Sequence, residues 1–264
     1  MAENPYRSMP DRQFWRRGIE GWSEGVYKDL YKPRFRITRR TRISTAGSCF
    51  AQNIGRELRA RKYNYQDFEP SPVPRLDLKT YGYGLFSGRY GNIYTSRQLY
   101  QMCRRATGRF KPSQDVWEKD GRFYDPFRPS IEPDGFGSVE ELRAVRDAHF
   151  RAVRRMVKKS HVLVFTLGLT EMWMDREDGA AYPTCPGTVA GEFDPERHVF
   201  KNLGFVEILE DMENAIAWMR KHNPNLKFLL TVSPVPLAAT AEDAHVAVST
   251  TYSKSVLRAV AGDG

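Results

Sequence analysis

Three short polar segments carry residue types that acyl-transfer chemistry uses. They are Gly47-Ser48-Cys49-Phe50-Ala51, Gly168-Leu169-Thr170-Glu171 and Ser233-Pro234-Val235-Pro236, and each follows a short apolar stretch. A serine at a strand-to-helix turn can project its hydroxyl into solvent while amides of the helix N-terminus face a developing oxyanion. Many serines at such turns only cap the helix. Ser48 is therefore either a candidate nucleophile or a structural cap.

The elements around these segments alternate between helix and strand. The predicted strands are 42–47, 162–167 and 228–232, and the predicted helices are 50–59, 96–105, 138–157 and 205–219. The last two strands are continuous apolar runs, which are typical of strands buried on both faces. A capping box at 138–141 begins one helix, and we expect no further strand or helix after Pro236. This alternation predicts an α/β fold, a three-layer α/β/α sandwich with a mainly parallel sheet.

In such sheets, ligands bind outside the carboxyl ends of the strands. The three polar segments each come directly after a predicted strand. We therefore expect the functional site at that edge of the sheet.

The charge of the chain is concentrated near its N-terminus. The 264 residues carry 41 Lys and Arg and 32 Asp and Glu, a net charge of +9, of which residues 1–44 contribute six. Their basic side chains are interleaved with aromatic ones, an arrangement that can contact nucleic acid. No recognised nucleic-acid motif accompanies them, so we expect no nucleic-acid partner. The prediction is an arm, residues 1–41, packed on a domain of residues 42–264.

Composition excludes several classes of protein. Mean hydropathy is −0.58, and no stretch approaches the roughly 18–20 apolar residues of a membrane span. Cys49, Cys103 and Cys185 are too scattered for a disulfide framework, and the histidines lack metal-ligand spacing. The glycines of 82–91 lack the Lys-Ser/Thr pair of a phosphate loop. We predict a cytoplasmic protein with neither metal nor cofactor, and its oligomeric state stays open.

The motif Gly47–Ala51 is the one that names the GSCFA family, and other stretches are similar to the same family. These stretches are 90–95, 166–173, 182–183, 230–237 and 252–258. The chain is identified as a member of that family, which distantly resembles the SGNH/GDSL esterases. The resemblance implies an SGNH-like fold and a carboxylic ester hydrolase. Its substrate would be an O-acyl ester, for example on a carbohydrate.

The SGNH resemblance also implies roles for individual residues. Ser48 matches the nucleophile, and Gly91 matches a glycine whose backbone N–H helps to form the oxyanion hole. Thr170 stands where the family pattern has an asparagine, and its hydroxyl has a shorter reach than a carboxamide. The candidate substrate-binding residues are Asn92, Gly168, Glu171, Ser233 and His245. Glu171 alternatively caps a helix.

The general base of the SGNH pattern has no counterpart in the sequence. SGNH enzymes activate serine with the histidine of an Asp-x-x-His block, and none follows Pro236. Either the chain is C-terminally incomplete or His245 substitutes, because a serine without a base is a poor nucleophile. Cys49 is a second candidate nucleophile, although we expect it to pack inward. The alternative function is a non-catalytic glycan- or protein-binding module that uses the same pocket.

Overall fold

The computed structural model describes residues 4–20, 30–74 and 77–263. The chain divides into two compact units, Met1–Thr38 and Arg39–Gly264. In the first unit, two 3₁₀ turns precede the helix α1 (Trp15–Glu20). The guanidinium of Arg17 lies 3.6 Å from the centroid of the Phe14 ring. Of the aromatic and basic side chains of the predicted arm, Trp22, Tyr27 and Lys28 lie outside the described residues.

The second unit is a mixed α/β structure. Its helices are α2 (Phe50–Ala60), α3 (Ser96–Arg105), α4 (Val139–Lys159), α5 (Phe205–His222) and α6 (Val246–Asp263). Its strands are β1 (Ile43–Gly47), β2 (Trp117–Lys119), β3 (Arg122–Tyr124), β4 (Val162–Leu167), β5 (Glu171–Asp175), β6 (Ala181–Tyr182), β7 (His198–Asn202) and β8 (Lys227–Val232). Strands β1, β4 and β8 form a parallel sheet with β4 in the middle.

The central strand β4 is buried along its whole length, as its apolar run predicts. Its residues Leu163, Phe165 and Leu167 join the main hydrophobic core, together with side chains of α3, α4 and α5. On α3 the predicted inward-facing residues Leu99, Met102 and Cys103 are all buried. The predicted elements of the parallel sheet and its helices are therefore confirmed.

Strand β8 is only half-buried, so the prediction that it is buried on both faces is wrong. It pairs with β4 along one side, and among the described strands it stands at the edge of the sheet. The capping box of α4 is confirmed in part. The Ser138 hydroxyl accepts from the Glu141 amide at 3.1 Å, but the Glu141 carboxylate accepts from Gly137 rather than from Ser138.

The helix α6 contradicts the expectation that no element follows Pro236. Its buried face consists of Ser249, Ser253, Leu257 and Val260. Because two of these four residues are polar, the helical spacing of the buried face does not appear as apolar periodicity. Polar burial of this kind requires hydrogen-bond partners, and one of them lies at the candidate site described below.

Two small antiparallel sheets were not predicted. One consists of β5 between β6 and β7, and the other is the hairpin of β2 and β3. In the hairpin, Asp120 and Gly121 both have positive φ, the geometry of a two-residue Asp-Gly turn. These strands have two to five residues, too few for alternation to be recognised in the sequence.

A buried hydrogen bond between His149 and Glu69 makes stability dependent on pH. His149 of α4 shares a hydrogen bond of 2.8 Å with the carboxylate of Glu69. Burial and the charge of Arg128 lower the pKa of His149 from 6.5 to about 4. Burial opposes ionisation of Glu69, but His149 and Arg128 lower its pKa from 4.5 to about 2.

We expect the free energy of unfolding to fall as the pH is lowered from about 6.5 to about 4. Over that range the unfolded chain takes up a proton at His149 that the native protein does not bind, at a cost on the order of 3 kcal/mol. His149→Gln should flatten this slope, which urea denaturation at a series of pH values would measure. An equal slope in both proteins would assign the acid sensitivity to other groups.

None of the helices within the described ranges combines the length and the apolar character that crossing a bilayer requires.

Candidate active site

The three polar segments lie at one edge of the parallel sheet. Gly47 is in register with Thr166, and Leu167 is in register with Val232, so the three strands end side by side. Ser48, Gly168 and Ser233 all border one cavity of about 620 Å³. The three segments therefore meet at the carboxyl ends of the strands.

Ser48 is held by the last hydrogen bond of the β1–β4 ladder. Its amide donates to the carbonyl of Thr166 at 3.2 Å, so strand pairing continues through this residue. The side chain is 2% exposed, so the expectation of a solvent-exposed hydroxyl is wrong. Within the described part of the chain, the Ser48 Oγ has no hydrogen-bond partner. A buried hydroxyl without a hydrogen-bond partner lowers the stability of the fold, which makes Ser48 a candidate functional residue.

Cys49 occupies the N-cap position of helix α2, so Ser48 is not the cap of that helix. Cys49 has helical backbone angles and makes no side-chain capping bond. Its side chain is exposed, so the expectation that it packs inward is wrong. Among the described residues, the amides of Cys49 and Phe50 have no acceptor. These two amides are free donors at the N-terminus of an 11-residue helix.

Two glycines allow this close packing. Gly47 has φ +132°, and a Cβ there would lie 2.4 Å from the Thr166 carbonyl oxygen. A Cβ on Gly168 would lie 2.8 Å from the Cβ of Ser48 and 3.4 Å from its Oγ. The Gly168 amide donates to the carbonyl of Tyr94 at 3.1 Å. Ser48 is thus in contact with the first turn after β4.

Gly91, Asn92 and Thr170 are not among the described residues that line the cavity. The segment of Gly91 is joined to the site because the Ile93 amide donates to the Gly47 carbonyl at 2.9 Å. Asn92 borders a separate internal cavity of about 30 Å³. Thr170 is fully buried. None of these three residues therefore lies on the surface of the described cavity.

Glu171 and Ser233 line the cavity and are fixed by the loop that closes it. The Glu171 carboxylate accepts from the Thr240 hydroxyl at 2.8 Å, and burial raises its pKa. Because Glu171 begins β5, the alternative that it caps a helix is wrong. The Ser233 hydroxyl accepts from the Val235 amide at 3.3 Å.

His245 lies outside the cavity lining and immediately precedes helix α6. It is exposed, and its Nδ1 accepts from the amide of Ala247 at 3.2 Å. All five histidines of the chain are described, and each is hydrogen-bonded away from the cavity lining: His149 to Glu69, His161 to Arg42, His198 to Asp194, His222 to Trp218 and His245 to Ala247. In the described structure, no histidine is placed to activate Ser48.

Sequence reasoning did not identify the aromatic wall of the cavity. Tyr94, Trp173, Tyr182 and Phe200 line it, and Trp173 pairs across the small sheet with both Tyr182 and Phe200. Thr184, Thr188 and Thr240 also line the cavity. This wall forms because β5 pairs with β6 and β7. These strands are too short to be predicted from the sequence. Among the described side chains, no three of His, Cys, Asp and Glu are placed to hold a metal ion.

Comparison with known proteins gives one match. The profile of the GSCFA family matches residues 42–263, a span that contains β1, the cavity and helix α6. Neither a curated protein nor a solved structure matches the chain significantly. Since the matched residues make up most of its length, the chain belongs to the GSCFA family.

Proposed function

We propose that this protein hydrolyses an O-acyl ester with Ser48 as the nucleophile, on a three-layer sandwich of the SGNH kind. The observation that carries the proposal is the Ser48 hydroxyl, which is buried, lacks a partner in the described structure and borders the cavity. Native proteins pair nearly all buried polar groups, and an exception calls for an explanation, of which a catalytic role is one. A nucleophile whose hydrogen-bond partner is the substrate fits this exception.

The oxyanion that forms during acyl transfer would be stabilised by the first turn of α2. The amide of Ser48 is already bound to the carbonyl of Thr166, so we assign this role to the amides of Cys49 and Phe50. Each donor aimed at the developing negative charge contributes about 2.7–4 kcal/mol to transition-state stabilisation. Gly91 and Thr170 do not line the described cavity, so we leave them out of the proposed oxyanion hole.

The cavity favours an acyl ester on a hydroxylated carrier such as a sugar. Its volume of about 620 Å³ falls within the range of roughly 300–1,000 Å³ typical of small-molecule sites. The aromatic rings of Tyr94, Trp173 and Tyr182 supply apolar faces for the acyl group or a sugar ring. The threonine hydroxyls and the Glu171 carboxylate supply hydrogen-bond partners for hydroxyl groups of the carrier.

A binding module is the second candidate function. It is favoured by one observation, the lack of any histidine at the cavity in the described structure. In that case the same aromatic wall and hydroxyl groups would hold a glycan or a protein segment without turning it over.

A fluorophosphonate probe distinguishes the two candidates. If Ser48 is an activated nucleophile, its Oγ displaces fluoride from the probe, and one phosphonyl group per chain maps to Ser48 by mass spectrometry. We expect the label to be absent after heat denaturation and in Ser48→Ala, and to be present in Ser160→Ala, a buried serine at the opposite end of β4. Salt-sensitive glycan binding without any labelling would support the binding module instead.

A further inference from the structure

The amine of Lys254 lies beside the residue that packs on Ser48. Lys254 belongs to α6 and is half-buried. Its Nζ donates to the carbonyl of Gly168 at 2.6 Å. A Cβ on the same glycine would lie 3.4 Å from the Ser48 Oγ. The amine and the hydroxyl therefore approach a common residue from helix α6 and from strand β1.

Helix α6 is anchored at this point by a polar contact. The Thr170 amide donates to the hydroxyl of Ser253 at 3.2 Å, and Ser253 is fully buried. One turn farther along, Leu257 belongs to the main hydrophobic core. The backbone of Lys254 is thus fixed against the carboxyl end of β4, and its four-carbon side chain retains the freedom to reorient the amine.

The surroundings of Lys254 favour its neutral form compared with a solvent-exposed lysine. Burial lowers its pKa, and the neighbouring Cys49 thiol raises it to a smaller extent. Among the described side chains, no carboxylate forms an ion pair with Lys254. A neutral amine is a proton acceptor, and desolvated lysines act as general bases in other enzymes.

Two titratable groups that line the cavity are poorly placed for the same task. The Glu171 carboxylate is bound to Thr240 in the loop after β8. Tyr94 has its pKa raised by burial, which disfavours its ionised form. No histidine lines the described cavity. Lys254 does not line the cavity either, but its Nζ is bonded to the carbonyl of Gly168, which lines the cavity beside Ser48. It is therefore the amine that can supply the missing proton acceptor.

We propose that Lys254 is the general base that activates Ser48, an inference that rests on the proposed function of the site. The side chain turns from the Gly168 carbonyl to the Ser48 Oγ when substrate enters. The neutral Nζ takes the proton of Oγ while Oγ bonds to the acyl carbon and the carbonyl electron pair moves to oxygen. The bond to the alcohol oxygen then breaks, and the alcohol leaves with the proton from the ammonium.

Deacylation reverses the proton transfers with water as the nucleophile. Water gives one proton to the neutral Nζ as its oxygen bonds to the acyl carbon. The bond from the acyl carbon to Ser48 Oγ breaks, and Oγ recovers the proton from the ammonium. The products are the carboxylic acid, the alcohol and the starting enzyme, so no further reactant is needed.

The test compares the wild-type chain with Lys254→Arg and Lys254→Met in hydrolysis of phenyl acetate over a range of pH. Wild-type kcat/KM should rise with pH and level off below 10.5, the ordinary pKa of lysine. Lys254→Arg keeps the positive charge and a donor for Gly168 but stays protonated, so kcat/KM should fall by about 10²-fold or more. Lys254→Met should fall equally and lose the pH dependence.

Rescue by an added amine shows whether Lys254 acts as a base or only supports the structure. In Lys254→Ala, ethylamine and weaker bases of similar size should restore turnover, and the restored rate should increase with the pKa of the amine. Wild-type rates in Lys254→Arg, or an unchanged pH profile in Lys254→Met, would overturn the role of Lys254 while Ser48-dependent turnover persists. A wild-type protein without turnover would overturn the proposed function and this role together.

Discussion

Ser48→Ala is expected to lower kcat/KM for a short aryl ester by at least about 10³-fold while leaving the fold intact. The hydroxyl is the proposed nucleophile, so its loss leaves only binding and the amides of α2. Because the Ser48 Oγ has no partner in the described structure, alanine removes an unsatisfied buried group. The free energy of unfolding should therefore be unchanged or higher by up to about 1 kcal/mol.

A matched variant shows that this combination is specific to Ser48. Ser160 is equally buried, but its Oγ lies 2.6 Å from the Oγ of Ser44. Ser160→Ala should therefore leave turnover unchanged and cost about 1–3 kcal/mol of stability. Steady-state kinetics and urea denaturation on the three proteins measure both quantities. Turnover retained by a folded Ser48→Ala protein would contradict the proposed mechanism.

Gly47→Ala is expected to cost about 4 kcal/mol or more of stability, the largest single loss that we predict. The added Cβ would lie 2.4 Å from the carbonyl oxygen and 2.7 Å from the amide nitrogen of Thr166, both backbone atoms of the central strand. Relief of that clash requires β1 and β4 to separate. The positive φ of Gly47 adds the strain of a conformation that residues with a side chain rarely adopt.

Gly108→Ala distinguishes the cost of the steric clash with Thr166 from the cost of backbone strain. Gly108 also has positive φ, at +70°, but no atom lies within 4 Å of a Cβ built there. Its substitution should cost only about 1–2 kcal/mol. Chemical denaturation of both variants gives the comparison. Equal losses at Gly47 and Gly108 would show that backbone strain, rather than contact with β4, requires glycine at position 47.

The parallel sheet and the position of the candidate site could be predicted from the sequence because both depend on apolar runs. The strand 162–167 is recognisable by itself, and the rule that ligands bind at carboxyl ends then located Ser48, Gly168 and Ser233 at one edge. The family motif Gly47–Ala51 pointed to the same serine. These signals are local in the sequence.

The features that the sequence did not reveal depend on contacts between distant residues. Ser48 is positioned by the hydrogen bond from its amide to the carbonyl of Thr166, about 120 residues along the chain. Helix α6 buries Ser253 because Thr170 supplies the hydrogen bond. Lys254 was visible only as part of a family stretch, and its approach to Gly168 required the packing of α6.

The most direct test of the central claim is to trap the acyl group during turnover. Wild-type protein is mixed with p-nitrophenyl acetate, quenched with acid while p-nitrophenol is still being released, digested and analysed by mass spectrometry. The peptide that spans β1 and α2 should carry one acetyl group, located on Ser48 by fragmentation. Acetyl on Cys49, or turnover without any acetylated peptide, would contradict a mechanism in which Ser48 is the nucleophile.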